Sequence, residues 1–152
     1  MAKVLVVYLS NSGTTEQMAA YVAEGVRIAG HEADVRKTSE IADVHDLAGY
    51  DAYVFGCPTY HLDMPRSFAA LLDTAGKAGL QGKAGGAFSP RSHPSSTEGD
   101  GAAERVYALM ESVLGMRMTE LGPFDVKEDI VNGPDGPRAC QEYGKAVAAM
   151  VR

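Results

Sequence analysis

Residues 10–15 form a short polar stretch whose side chains could hold an anion. The stretch consists of Ser10, Asn11, Ser12, Gly13, Thr14 and Thr15. It follows an apolar run at residues 4–9 that is typical of a buried strand, and the pattern after it is helical. Free backbone N–H groups and the positive end of the helix dipole meet at such a turn. The stretch therefore predicts a phosphate-like ligand held by amides and hydroxyl groups, without Lys or Arg.

A helix cap is the alternative interpretation of the same turn. Thr14 and Gln17 have the spacing of a capping box, in which each side chain bonds the backbone of the other residue. We expect the box to form, but it uses only two residues and does not require four hydroxyl groups. The anion site is therefore preferred to a cap alone.

Two later segments carry polar and aromatic side chains after apolar runs. The first contains Pro58, Thr59, Tyr60 and His61. The second contains Ser89, Pro90, Arg91 and His93. Tyr60 could lie against an aromatic ring, and either histidine could move a proton near neutral pH. The structural alternatives are a loop anchor for Tyr60 and ordinary loop positions for the histidines.

The apolar periodicity predicts the elements that position these segments. Strands are predicted at residues 4–9, 32–38, 51–56, 83–89 and 116–121, and helices at 14–29, from 65, at 102–114 and at 137–151. Loops are predicted at residues 90–101 and 122–136, and Ala29 and Val113 are expected on buried helix faces. Gly85 and Gly86 weaken one strand, unless backbone packs closely there. The alternation predicts one α/β domain, residues 1–152, with helices on both faces of a parallel sheet.

In such a domain, ligands bind outside the carboxyl ends of the strands. The polar turn at residues 10–15 follows the first strand, and the two later segments follow the third and fourth strands. We therefore expect all three to converge on one crevice.

Length, charge and cysteine content limit the class of protein. The chain has 152 residues and a formal net charge of −6, which disfavours nucleic acid and anionic membranes as partners. Its apolar runs are shorter than the ~20 residues of a membrane span. Met-Ala-Lys leads directly into the first strand, so we expect no signal peptide. Cys57 and Cys140 predict neither a disulfide framework nor a metal site, and a cytoplasmic location is expected.

These segments resemble the flavodoxin family over nearly the whole chain. Residues 10–15 fit the family pattern Ser/Thr, any residue, Ser/Thr, Gly, any residue, Thr, which wraps the phosphate of FMN. Residues 50–60 are similar to the second flavin segment, and the following Met64-Pro65 resembles flavodoxin-like NAD(P)H:quinone oxidoreductases. The resemblance implies a three-layer sandwich, a five-stranded parallel sheet in the order 2-1-3-4-5, and non-covalent FMN.

The chain departs from the family pattern in its aromatic residues and its third loop. It has no Trp, so Tyr60 is the best-placed side chain to stack on the flavin. The third loop is not the Gly-rich loop of the quinone reductases, and the chain is short for their tetramer-forming segment.

The resemblance favours an FMN-binding electron-transfer protein, which meets redox partner proteins or small quinone-like acceptors. An alternative is an NAD(P)H-dependent quinone or FMN oxidoreductase. A weaker one is a non-catalytic interaction module with an unused FMN site. A monomer or small homo-oligomer is expected.

Overall fold

A computed structural model of the chain describes residues 2–9, 13–58, 66–91 and 102–151, with backbone alone at residues 66, 67, 91 and 127–129. The strands are β1 Lys3–Tyr8, β2 Glu32–Lys37, β3 Ala52–Gly56, β4 Ala84–Arg91, β5 Arg117–Met118 and β6 Phe124–Lys127. The α-helices are α1 Thr14–Ile28, α2 Arg66–Gly76, α3 Ala102–Ser112, α4 Glu128–Val131 and α5 Gly136–Ala149. Two short 3-10 turns, Thr38–Glu40 and Val44–Leu47, connect β2 to β3.

The strands form one parallel sheet in the order β2-β1-β3-β4-β5, which confirms the predicted order. β6 also pairs with β4, so the last position of the sheet is filled by two short strands. The prediction of a loop throughout residues 122–136 is therefore wrong. Gly122, at φ 77°, and Pro123 interrupt the last strand without ending it.

A side chain from α5 bridges the interruption between β5 and β6. The Tyr143 hydroxyl accepts a hydrogen bond from the Ala87 backbone N–H at 3.0 Å and donates to the Gly122 carbonyl at 2.8 Å. It thereby partners a buried N–H at the point where the last strand is interrupted. The Tyr143 ring also explains Gly86, because a Cβ atom there would lie 2.9 Å from it. Side chains, rather than the close backbone that we expected, require this glycine.

The helices cover both faces of the sheet, as predicted. Met18, Val22, Cys140 and Val147 belong to the core between the sheet and the α1–α5 layer. Phe68, Leu72, Val106 and Met110 belong to the core beneath α2 and α3. None of the helices in the described residues is long and apolar enough to cross a membrane.

Two residues predicted to face the core are exposed. Val113 is 68% exposed because α3 ends at Ser112, and Leu114 takes the inward position after the helix. Ala29 is exposed because α1 ends at Ile28, and Gly30 follows at φ 92°. A left-handed glycine just past the end of a helix is a common way for helices to end.

Candidate functional site

The turn between β1 and α1 is fixed by the backbone of Gly13. Its φ of 90° and ψ of −18° lie in the left-handed region that favours glycine. A Cβ atom added to Gly13 would meet no atom of the described residues within 4 Å beyond its chain neighbours, so conformation rather than space requires this glycine. The Gly13 carbonyl accepts the first helical hydrogen bond, from Gln17 N at 3.0 Å. Ser10, Asn11 and Ser12 lie outside the described residues.

The predicted capping box does not form. Gly13 occupies the N-cap position and makes no side-chain cap, so Thr14 becomes the first residue of α1. A residue inside the helix cannot cap its own first turn in the way that a capping box requires. The first turn of α1 therefore has no side-chain cap at Gly13, which leaves its amides to other partners.

Thr15 supplies the observation that most directly indicates a ligand. Its side chain is fully buried, and in the described part of the chain its Oγ1 atom has no hydrogen-bond partner. A buried hydroxyl without a partner costs about 1–3 kcal/mol. Thr15 lies in the first turn of α1, where backbone amides and the helix dipole favour an anion. A phosphate group at this turn would give Thr15 a partner, so the residues present fit the phosphate of FMN.

A small cavity adjoins the same turn on the side of β2. It has a volume of about 300 Å³. Its lining residues are Tyr8, Leu9, Gly13, Glu16, Lys37, Thr38 and Ser39. The Tyr8 hydroxyl donates to Glu16 Oε1 at 3.2 Å. The pKa of Tyr8 is raised, mainly because the hydroxyl is partly buried and secondly because the Glu16 charge lies close to it. Tyr8 therefore remains a neutral phenol beside the turn, a role that the strand pattern alone did not indicate.

The carboxyl ends of β1, β3 and β4 lie side by side. Leu9 N donates to Gly56 O at 3.0 Å, and Cys57 N donates to Phe88 O at 3.3 Å. Gly56 is required here, because a Cβ atom would lie 2.2 Å from the Phe88 ring. The three strand ends are therefore adjacent, and convergence of the segments that follow them stays a prediction. We call the region between them the crevice.

The crevice includes only some of the residues predicted after β3. Pro58 follows the buried Cys57 at the end of β3. Thr59, Tyr60 and His61 lie outside the described residues, so stacking by Tyr60 stays a prediction.

The end of β4 is longer than predicted. The strand continues through Pro90 to Arg91 because both residues pair with β6, so the predicted loop does not begin at residue 90. Ser89 and Pro90 are buried. Ser89 Oγ accepts a hydrogen bond from Ala103 N, in the first turn of α3, at 3.0 Å. His93 lies outside the described residues, and contacts of Ser89, Pro90 and Arg91 with a cofactor stay predictions.

Asp125 on β6 also lies at this end of the sheet. Its Oδ1 atom is 3.5 Å from Ser89 Oγ. The residue was missed in the sequence because it falls within the segment predicted as a loop. Among the described residues, no group of three His, Cys, Asp or Glu side chains could hold a metal ion.

Comparison with known proteins identifies the family. A family model described as a flavodoxin domain matches residues 5–112. Two relatives, from Cupriavidus metallidurans and Nitrobacter winogradskyi, are both named NAD(P)H dehydrogenase (quinone) and are 34% and 37% identical. Each alignment covers 80% of this chain and 71% of the relative. The aligned span of 145 positions exceeds the part of this chain that it covers, so the relatives contain internal residues that this chain lacks.

Solved flavodoxin structures share the fold over almost the whole chain. A flavodoxin from Archaea has a TM-score of 0.85 at 24% identity, covering 97% of this chain and 96% of that one. The two-electron reduced flavodoxin of Megasphaera elsdenii has a TM-score of 0.76 at 28% identity, covering 96% and 98%. The chain belongs to the flavodoxin family and is an FMN-binding redox protein.

Proposed function

We propose that the protein is an electron carrier that receives electrons from one redox partner and passes them to another through bound FMN. The observation that carries this proposal is the anion turn at Gly13 and Thr15, where a buried hydroxyl lacks a partner in the described chain. The internal residues present in the quinone dehydrogenases but absent here favour a carrier over a reductase.

The chain's own groups would bind and orient the cofactor. Backbone amides at the start of α1 and Thr15 Oγ1 would hold the phosphate. Pro58, Ser89 and Pro90 lie at or just after the ends of the neighbouring strands and are proposed to lie beside the flavin. FMN itself supplies the one- and two-electron chemistry. Tyr60 is proposed to stack on the ring, and His61, His93 and Arg91 to balance the charge of the reduced form.

The charge of the protein supports partners with positive surfaces. A net charge of −6 would steer encounter with such a surface and would disfavour polyanions. We propose a cytoplasmic location, because the chain has only two cysteines, Cys57 and Cys140, both of which are buried, and burial raises the pKa of Cys140 to about 12. We also propose that the protein is a monomer or a small homo-oligomer.

A second candidate is an NAD(P)H-dependent quinone reductase. The relatives named NAD(P)H dehydrogenase (quinone) favour it, because their identity of 32–37% exceeds the 24% of the archaeal flavodoxin. This function requires access for nicotinamide and quinone to one face of the flavin.

Two assays on the FMN-loaded protein separate the candidates. In the first, NADH or NADPH is offered with benzoquinone, and a carrier should oxidise neither faster than free FMN does. In the second, NADPH is offered with a separate flavodoxin reductase and cytochrome c, and a carrier should transfer electrons to the cytochrome. Direct turnover in the first assay would favour the reductase. Failure to take up FMN, seen in the absorption spectrum, would leave only the interaction module.

A further inference from the structure

Ser89 joins the end of β4 to the start of α3. Its side chain is fully buried, and its Oγ atom accepts the Ala103 N–H at 3.0 Å. The two residues are 14 positions apart in the chain. This bond therefore fixes one edge of the crevice relative to the helix that follows it.

A serine hydroxyl that accepts one hydrogen bond still has its own proton to donate. Asp125 Oδ1, 3.5 Å from Ser89 Oγ, is positioned to accept it. The register of β4 and β6 places these residues opposite each other, so both side chains point to the face covered by α3. Donation to Asp125 would turn a lone pair of Ser89 Oγ towards the Ala103 amide.

β6 is itself anchored, so Asp125 has a fixed position. The neighbouring Phe124 stacks on Tyr143 with ring centroids 5.0 Å apart and an interplanar angle of 17°. Phe124 also pairs with Phe88, whose carbonyl accepts the Cys57 amide from the end of β3. The position of Asp125 is thus linked to the ends of β3 and β4, two of the three strand ends that border the crevice.

We propose that Asp125 is a positioning residue for the flavin site, which acts through Ser89 by accepting the hydrogen bond that orients its hydroxyl. The proposal rests on the proposed binding of FMN in this crevice. The function needed from Asp125 is that of an acceptor oxygen, and its negative charge is not required. The ends of β3 and β4 then stay in the arrangement that binds FMN.

The experiment compares Asp125→Ala with Asp125→Asn, because asparagine keeps an acceptor oxygen and removes the charge. Exchange of the Ala103 amide, followed by NMR in the apo-protein, reports on the Ser89 bond without any cofactor. FMN affinity is measured separately by quenching of flavin fluorescence. Glu120→Gln, at an exposed residue between β5 and β6, is the control for loss of one negative charge.

We expect Asp125→Ala to speed exchange of the Ala103 amide about tenfold and to weaken FMN binding about three- to tenfold, as for loss of one hydrogen bond. Asp125→Asn should stay within about twofold of the wild type in both measurements. Ser89→Ala should reproduce the alanine effect, and the double variant Ser89→Ala/Asp125→Ala should add nothing further.

Equal losses in Asp125→Asn and Asp125→Ala would overturn the proposal, because charge would then be the important property. Additive losses in the double variant would overturn it too, since Asp125 would act independently of Ser89. If Asp125→Ala does not fold, Asp125→Asn and Ser89→Ala still test the proposal. Only Ser89→Ala should then speed exchange of the Ala103 amide. If the wild type binds no FMN, the proposed function fails, while the exchange data still test the Asp125–Ser89 contact.

Discussion

The two helical layers pack in different ways on the same sheet. α1 and α5 are in backbone contact: a Cβ atom on Gly25 would lie 2.0 Å from the Gln141 carbonyl oxygen, and one on Gly144 would lie 2.1 Å from that of Val22. An open cavity of about 190 Å³ instead lies between α2 and the end of α3. Its lining residues are Ala69, Leu72, Asp73, Leu109, Val113 and Leu114.

This difference shows how the site is supported. Reciprocal glycines let α1 and α5 approach more closely than larger side chains would allow. α1 begins after the turn at Gly13, so the proposed anion site lies on one of these two closely packed helices. The helices that follow the other two strand ends, α2 and α3, have no comparable partner contact among the described residues. We therefore expect substitutions at the α1–α5 contact to cost more than similar ones between α2 and α3.

The largest effect is expected from Gly144→Ala. The new methyl group would collide with the Val22 carbonyl, so the helices must separate, at a cost on the order of 3 kcal/mol in the free energy of unfolding. The matched change Gly76→Ala in α2 meets only Leu114 Cδ2, at 3.8 Å, and should be neutral or stabilise by about 0.5–1 kcal/mol. Urea unfolding of both variants measures this, and similar midpoints would contradict the proposed difference between the layers.

The next largest effect is expected from Tyr143→Phe. Removing the hydroxyl leaves the buried Ala87 amide and the Gly122 carbonyl without this partner, which should cost about 2 kcal/mol. Tyr107→Phe is the control on the α3 side. The Tyr107 hydroxyl donates to the Thr119 carbonyl at 2.6 Å in a partly exposed position. Its removal should therefore lower the free energy of unfolding by only about 0.5–1 kcal/mol. Thermal unfolding should order the variants in this way, and a larger loss for Tyr107→Phe would argue against the bridging role of Tyr143.

The interrupted last strand, which Tyr143 bridges, shows what could not be predicted from the sequence. Apolar runs located the strands, and the family pattern supplied their order. The break in the last strand was missed because Gly122 and Pro123 have the composition of a loop. β6 depends on pairing with β4 and on the Phe124–Tyr143 stack, both of which join residues far apart in the chain.

At the start of α1, the position of the turn was predicted better than its backbone geometry. The motif placed Thr15 correctly at the start of a helix, but the same residues were compatible with a capping box. The left-handed backbone of Gly13 at the N-cap excludes the capping box, and the sequence pattern does not contain that angle. Phosphate binding at this turn stays a prediction. Asp125 carried no signal because a single aspartate between turn residues is common. Its position became informative only when the strand register placed it opposite Ser89.

Thr15→Val tests the anion site on the closely packed layer. Valine has the same shape but no hydroxyl, so FMN binding should weaken by about 1.5 kcal/mol through loss of a bond to a charged phosphate. Riboflavin, which lacks the phosphate, should bind the variant and the wild type equally. Apo-protein stability should not fall, because the Oγ1 atom has no partner in the described chain. Fluorescence titration with both flavins measures the difference, and an equal loss for riboflavin would place the phosphate elsewhere.

The smallest effect is expected at the edge of the α2–α3 cavity, from Val113→Thr. Val113 is 68% exposed, so a hydroxyl there remains in water and the change should stay within about 0.5 kcal/mol. Val106 lies within α3, the helix that ends just before Val113, and is fully buried. Val106→Thr should cost about 1 kcal/mol or more, because its hydroxyl must leave water. Urea unfolding of the two variants separates a residue that borders an open cavity from one in the core. Equal losses would mean that Val113 is covered in solution, and the two helical layers would then differ less than the cavity suggests.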